Sequence, residues 1–312
     1  MVRAAVIGVG YLGAFHAEKY HRSEKSELVA VVDVREARAQ EIAEKFGCKA
    51  LTDYRQLLQL GVQCVSLASD TSVHFEVALW LLENGIDVLV EKPIAVTADE
   101  ARVLILAAEA NGRLLQVGHL ERFNPAFRAV ERVLTEPRFF EARRIAPFTG
   151  RGSDVDVVLD LMIHDIDIIA HLVGKPLLKV DAIGTPVLTD TIDIANARLT
   201  FEGGAVANVT ASRVAFKSER TLRIFQPDVY ISLDFGQKKI KIYEKSEEPG
   251  AIQLPGSGDL PKIKVTEQPV EERDALFDEI ESFIDCVATR SKPLVSGVDG
   301  MRALEMVEKI IH

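Results

Sequence analysis

The 312-residue sequence predicts an α/β protein in two parts. A doubly wound parallel sheet is expected over residues 1–120, and an α+β part with a mostly antiparallel sheet over residues 121–312. Three observations lead there. Short apolar runs alternate with helical patterns as far as Gly118, the signature of strand–helix units in a parallel sheet. Beyond about residue 120 several alternating stretches follow one another, two of them joined by the hairpin turn Glu202-Gly203-Gly204. Finally, the length suits about two domains, and 47% apolar residues can fill their cores.

The chain opens on Val2-Arg3-Ala4-Ala5-Val6-Ile7, which runs straight into Gly8-x-Gly10-x-x-Gly13 and then a helical pattern through Ala14, Phe15, Ala17 and Tyr20. That is the order a dinucleotide site needs. Gly8 permits the tight turn, Gly10 lets backbone approach a pyrophosphate, and Gly13 lets the helix pack close to the strand, with free helix N–H groups facing the phosphates. A second buried strand, Leu28–Val32, ends in Asp33, 20 positions after Gly13. A carboxylate there can accept both adenosine ribose hydroxyls and repels a 2′-phosphate. The reading is a Rossmann domain that takes NAD. A glycine-rich turn beside a surface aspartate is the plainer alternative.

The elements then follow in turn. Ala37–Phe46 is helical, Lys49–Leu51 a short strand, Tyr54–Leu60 a short helix and Cys64–Ala68 a buried strand before the polar turn Ser69-Asp70-Thr71-Ser72. The helix His74–Asn84 is stopped by Gly85, Asp87–Val90 is a strand, Ala98–Asn111 is a helix stopped by Gly112, and Leu114–Gly118 is a strand. In the second part we expect a helix over Pro125–Leu134, a strand over Phe139–Ile145 and a helix over about Val157–Leu172. Strands follow at Leu178–Ile183, Ile192–Phe201, Ala205–Ser212, Thr221–Phe225, Val229–Phe235 and Lys239–Tyr243. Ser246–Glu272, punctuated by Pro249, Pro255, Pro261 and Pro269, reads as an irregular excursion. Two helices close the chain, Arg273–Thr289 and Gly297–Ile311, the latter with Ser296 and Asp299 in a capping pattern. They are counted with the second part, with room to pack back on the first.

Two stretches carry candidate chemistry. At 100° per residue, Asp160, His164, Asp167 and His171 share one face of an otherwise apolar helix. Three explanations stand: a structural Asp–His pair, a metal site (without a thiolate or second cluster to support it), or His164 as a general acid/base with Asp160 orienting it. Lys92 follows a buried strand and precedes Pro93, in a turn at the sheet edge where ligands bind. A lysine there can bond a substrate hydroxyl and stabilise a developing alkoxide. Arg122, Arg143, Arg144 and Arg151 gather near the start of the second part. They suit a diphosphate, or are ordinary surface charge.

The net charge of −10 speaks against nucleic acid as the main partner. Cys48, Cys64 and Cys286 show no metal-ligand spacing, and an odd count suits a reducing compartment. No apolar stretch is long enough to span a bilayer. We expect a soluble cytoplasmic protein with no metal and no membrane partner.

With these motifs in place, the chain resembles the Gfo/Idh/MocA family of glucose–fructose oxidoreductase and inositol dehydrogenase relatives. Gly8-x-Gly10-x-x-Gly13, Thr71-x-x-His74, Glu91-Lys92-Pro93 and Asp160-x-x-x-His164-x-x-Asp167 match in order and spacing. One departure is Asp70, where the family often has proline. The resemblance implies an NAD-dependent dehydrogenase that oxidises a sugar ring hydroxyl. Val117–Pro125 and Asp160–Asp167 are similar to members acting at C3 of UDP-N-acetylglucosamine, so a sugar or sugar-nucleotide substrate is expected. The alternatives are inositol or free-sugar oxidation in the same family, or a non-catalytic NAD-dependent sensor. Together with the turns above, the resemblance assigns Lys92, His164 and Asp160 to catalysis, with the Lys92 and His164 roles exchangeable. It assigns the cofactor to Gly8, Gly10, Tyr11, Leu12, Gly13, Asp33, Val34, Arg35, Ser69, Thr71, His74, Glu91 and Lys92. The substrate goes to Lys92, Arg122, Asn124, Arg144, Arg151, Asp160 and His164. It also implies a cis Lys92–Pro93 bond and a homodimer or homotetramer. The stretches Ile192–Leu199 and Ala205–Ala211 are expected to carry small and apolar residues on both sheet faces and so to supply the interface.

Overall fold

A computed structural model of the chain describes residues 1–149, 155–253 and 261–312. It forms two compact units, one of Met1–Phe123 with Asp274–Glu305 and one of Asn124–Arg273 with Met306–His312.

The first unit alternates β1 (Val2–Ile7), α1 (Tyr11–Arg22), β2 (Ser26–Val32), α2 (Glu36–Phe46), β3 (Lys49–Leu51), β4 (Cys64–Leu67), α3 (His74–Glu83), β5 (Asp87–Glu91), α4 (Ala98–Ala110) and β6 (Leu115–Gly118). Short 3-10 turns occupy Tyr54–Leu60, Thr71–Val73 and Leu120–Phe123. The sheet order is β3-β2-β1-β4-β5-β6 and every pair is parallel. The order in which strands are added reverses between β1 and β4, which opens the crevice at their carboxyl ends where ligands bind. Ala4, Ala5, Val6, Val65, Leu67, Val88, Leu89 and Val90 are buried, as continuous apolar strands covered on both faces should be.

The second unit holds α5 (Pro125–Glu131), β7 (Phe139–Ile145), α6 (Ile163–Val173), β8 (Leu177–Thr185), β9 (Ile194–Phe201), β10 (Val206–Ser212), β11 (Glu219–Gln226), β12 (Val229–Asp234), β13 (Lys239–Lys245) and β14 (Ile263–Gln268). Among the described residues these strands make one eight-stranded sheet, β14-β13-β12-β11-β7-β10-β9-β8. It is antiparallel except for the β7–β10 pair. Phe140, Ala197, Leu199, Val209, Ile224, Ile231 and Ile242 point to one face and are buried. α5 packs on β12 and β13, and α6 on β7 and β10.

Four expectations change. α7 (Ala275–Thr289) and most of α8 (Gly297–Ile311) count with the first unit. Leu276, Ile280, Phe283 and Ile284 join Val2, Ala4, Val6, Ala17 and Tyr20 in one cluster, while Lys19–Asp274 (3.0 Å) and Arg290–Asp87 (2.5 Å) tie the edges. Periodicity reveals that a helix has an apolar face, not which sheet it covers. Part of the expected excursion is regular: β14 pairs with β13 from Ile240↔Gln268 to Lys245↔Ile263, as an edge strand guarded by Lys264 and Glu267. Residues 254–260 of that excursion, Pro255 included, lie outside the described residues. The helix expected over Val157–Leu172 begins as a π turn, Val158–Met162. Lastly, the alanines of β9 and β10 face inward; outward stand Asn196, Arg198, Asn208 and Thr210, joined by Asn196–Thr210 and Arg198–Asn208 hydrogen bonds of 2.9 Å each.

Candidate active site

The glycine turn joins β1 to α1. Gly8 has φ +79°, and a β-carbon on it would meet Ser69 backbone at 2.7 Å. One on Gly13 would stand 1.8 Å from the Gly8 carbonyl oxygen. Both glycines are therefore required by the protein's own packing. Gly10 differs: a β-carbon there meets nothing nearer than Arg35 Nη2 at 4.0 Å. Its lack of a side chain keeps backbone open to a ligand at the N-terminus of α1, the polarity an anion needs. Tyr11, Leu12 and Val34 stand exposed beside it, an apolar bed suited to an adenosine. Asp33 accepts from the Val9 amide (3.1 Å), the Arg35 amide (3.0 Å) and Arg35 Nε (3.1 Å). Burial raises the Asp33 pKa, but Arg35 and the two amides outweigh it and leave it below the usual aspartate value. These residues fit a dinucleotide without a 2′-phosphate.

The next two turns are latched from inside. His74 is buried, its Nδ1 2.9 Å from the Pro93 carbonyl and its Nε2 3.1 Å from that of Ser69. Burial lowers its pKa. Sequence reading gave His74 to the cofactor; the structure uses its ring to hold the turn after β4 against the turn after β5. Glu91 is redirected likewise. Its carboxylate turns inward, 3.0 Å from His16 Nε2, and accepts from the Lys92 amide at 3.3 Å. Lys92 itself is half-buried at the carboxyl end of β5, before a cis bond to Pro93. Ser69 and Thr71, also half-buried, flank the same sheet edge.

In the second unit, Asp160 sits in the π turn and His164 in the first turn of α6, both half-buried. π turns accommodate one extra residue and recur at functional sites. The rest of the polar stripe is structural in part: His171 Nε2 meets Glu131 at 2.6 Å, and Asp167 is buried. Two features escaped the sequence. Asp165 accepts two bonds from one edge of Arg144, Nε–Oδ2 3.0 Å and Nη2–Oδ1 2.9 Å, on nearly inaccessible side chains. Asp193 accepts from the amides of Val187, Leu188 and Thr189 (2.7, 2.6 and 2.8 Å) and from Arg213 Nε (2.6 Å), while Arg213 also donates to the Val155 carbonyl at 2.8 Å. Burial raises the Asp193 pKa, but these donors overcome it and hold the carboxyl far below the usual range. The clamp fixes the chain just ahead of the π turn. Its sequence signal was only an acid and a base 20 positions apart, which nothing local links.

Two of the four expected arginines are buried instead of standing on the surface. Arg144 is buried in its ion pair, and Arg122 is 2% exposed, beside the Asp299 carboxylate. A guanidinium that would grip an exposed diphosphate has to be reachable, and these are not. Arg143 pairs with Glu219 at 3.2 Å. Asn124 Oδ1 accepts from the Ala126 amide and caps α5. Arg151 lies outside the described residues. Among the described residues no group of three or more His, Cys, Asp and Glu could hold a metal ion, and no helix is long and apolar enough to cross a membrane.

Residues 2–119 match an oxidoreductase family domain described as an NAD-binding Rossmann fold, GFO_IDH_MocA. Residues 134–228 match the GFO/IDH/MocA C-terminal domain. Among curated relatives, the UDP-N-acetylglucosamine 3-dehydrogenase of Acidithiobacillus ferrooxidans is 39% identical over 97% of this chain and 94% of its own. The scyllo-inositol 2-dehydrogenase (NAD(+)) of Bacillus subtilis is 25% identical over 98% and 92%. Among solved structures, the Acidithiobacillus ferrooxidans enzyme GnnA superposes with a TM-score of 0.93 at 38% identity, covering 99% of this chain and 96% of that one.

Proposed function

The chain belongs to the Gfo/Idh/MocA oxidoreductase family, and from that premise we propose that it oxidises the C3 hydroxyl of UDP-N-acetylglucosamine with NAD. The observation that carries the substrate is the 39% identity to a relative of that name, against 25% to the scyllo-inositol enzyme. NAD, when bound, supplies the hydride acceptor. The chain's own work is at the hydroxyl: Lys92 polarises the oxygen, His164 takes the proton, and Asp160 orients His164 or binds a neighbouring hydroxyl. Lys92 and His164 can exchange these roles, since either amine or imidazole can be tuned to accept a proton. Their joint presence opposes a non-catalytic sensor. A turnover assay across UDP-N-acetylglucosamine, other UDP-sugars, free sugars and inositols tests the proposal. NADH formation with the amino-sugar nucleotide at the highest kcat/KM is the expected result. Higher kcat/KM on inositol would overturn the substrate, and turnover of none of them would favour the sensor.

Asp33 sets the cofactor. NAD is expected to bind at least about tenfold more tightly than NADP, because a 2′-phosphate would face a buried like charge. Titration of both by fluorescence checks this. Equal affinity would move the determinant to Arg35.

The same proposal makes the chain a homodimer or homotetramer. Support comes from the outward face of the eight-stranded sheet, where Phe139, Phe225, Tyr230 and Tyr243 stack in a row with ring centroids 5.6, 4.7 and 4.9 Å apart. Apolar stripes of this size are rarely left wet. Light scattering at micromolar concentration is expected to give a multiple of 34.4 kDa; a monomer mass counts against it. Three free cysteines accord with the proposed cytoplasmic location.

A further inference from the structure

The π turn Val158–Met162 is held from outside itself. π turns are rare and occur as single turns inserted at a helix. Sliding such a turn by one residue swings every side chain on it by about 100°. The register that presents Asp160 therefore has to be imposed by neighbours. Val158 and Met162 are buried, the turn packs on β10, and Asp160 is left half-buried. The Asp160 amide donates to the Asp156 carbonyl at 3.0 Å. Whatever fixes Asp156 fixes the start of the turn.

Three successive residues ahead of the turn are tied to one loop. The Val155 carbonyl accepts from Arg213 Nη1 at 2.8 Å and from the Thr191 hydroxyl at 3.4 Å. Asp156 Oδ1 accepts from the Ile192 amide at 2.8 Å, and the Val157 amide donates to the Ile192 carbonyl at 2.9 Å. The loop is itself folded around Asp193. Oδ2 of that residue takes the Val187, Leu188 and Thr189 amides, and Oδ1 takes Arg213 Nε. Arg213 Nη2 also reaches the Thr189 and Thr191 hydroxyls at 3.0 and 2.5 Å. Asp193 is fully buried and Arg213 almost so. A buried ion pair whose remaining donors are engaged is a rigid one. Arg213 follows β10 directly, so the clamp and the π turn ride on the same strand. Reversing the chain between β8 and β9 needs only about two to five residues. This connection runs from Pro186 to Asp193, and its extra length supplies the groups that meet Val155, Asp156 and Val157.

We propose that Asp156, Asp193 and Arg213 are positioning residues for Asp160 and His164: together they fix the register of the π turn that delivers both side chains to the substrate. Asp156 is the direct link, since its side chain binds the loop while its carbonyl holds the Asp160 amide. Arg213 and Asp193 are the outer brace. The geometry required at a reacting hydroxyl is narrow, and a misplacement of about 1 Å can cost on the order of 100-fold in rate. This rests on Asp160 and His164 acting on the substrate, as proposed above.

Two arms test it. The first needs no substrate: amide hydrogen exchange is followed over residues 155–165 and 187–194 in wild type, Asp156→Ala and Asp156→Asn. The asparagine keeps an oxygen for the Ile192 amide, and the alanine does not. Both segments are expected to exchange about tenfold faster or more in the Ala variant, with the rest of the chain unchanged and protection restored by Asn. Wild-type exchange in the Ala variant overturns the link. The second arm measures kcat and KM on the best substrate of the panel above, below each variant's Tm. It uses the same two variants and Arg213→Lys, which keeps a charge beside Asp193 but loses the fork that reaches the Val155 carbonyl. A kcat lowered about tenfold in Asp156→Ala and Arg213→Lys, with KM and NAD affinity within about twofold of wild type, is expected for lost positioning. Asp156→Asn is expected to restore kcat. A lowered Tm with wild-type kcat in Asp156→Ala makes the clamp purely structural and overturns the proposal; if Arg213→Lys fails to fold, the two Asp156 variants decide. Failure of the substrate proposal shows instead as no turnover by wild type, and the exchange arm then still decides whether the clamp holds the turn.

Discussion

Lys92→Ala and His164→Ala are each expected to lower kcat about a hundredfold or more, while NAD binds almost as tightly as to wild type. A positioned acid or base contributes roughly that factor. Neither residue belongs to the glycine turn or to Asp33, to which the proposal gives the pyrophosphate and the ribose. Lys92 stands at the carboxyl end of β5 in the first unit, and His164 in the first turn of α6 in the second. The check is stopped-flow turnover on the best substrate, paired with NAD titration of the same variants. A variant with wild-type turnover removes its residue from the mechanism. A variant that loses NAD binding to the same extent as turnover makes its residue part of the cofactor bed instead.

Arg144→Leu is expected to behave as a folding mutant, not as a substrate-binding mutant. Its guanidinium donates two bonds to Asp165 along one edge, with 4% and 3% of the two side chains exposed. Removing one partner strands a buried charge at a cost of about 3–5 kcal/mol, which lowers Tm on the order of 10 °C. KM for the sugar nucleotide should change little in the folded fraction. Replacing both partners, Arg144→Leu with Asp165→Leu, should recover much of the loss, because no lone charge remains. Thermal unfolding of the single and double variants, with KM measured below the transition, reads both effects. A stable single variant with a KM raised about tenfold would restore Arg144 to the substrate.

The parallel sheet of the first unit and the helices threaded through it were legible almost throughout. Its strands are apolar runs, its helices stop at Gly47, Gly85 and Gly112, and its dinucleotide motif lies within one strand, one turn and one helix. The site was legible only in its local pieces. Gly8, Gly10, Gly13, Asp33 and Lys92 could be located at strand ends and turns because such positions depend on a single strand–turn–helix unit. Four other assigned residues are placed by the structure away from open solvent, for one reason. His74, Glu91, Arg122 and Arg144 are polar residues near the right turns, and proximity in sequence does not say whether a side chain faces the crevice or the core. Each of the four is turned inward.

By itself the sequence determined the alternation that makes a parallel sheet, the glycine turn at a helix N-terminus, the carboxylate at the end of the second strand, and the turn and helix that carry Lys92 and His164. These are short-range matters of periodicity, steric room at glycine and charge at a strand end. The tertiary structure alone decided that α7 covers the first sheet, that β14 joins the second, that Arg213 clamps Asp193, and that Arg144 serves Asp165. Those depend on which surfaces bury each other and which charges meet after burial, between residues tens to hundreds of positions apart, where the cost of an unpaired buried group selects the partner.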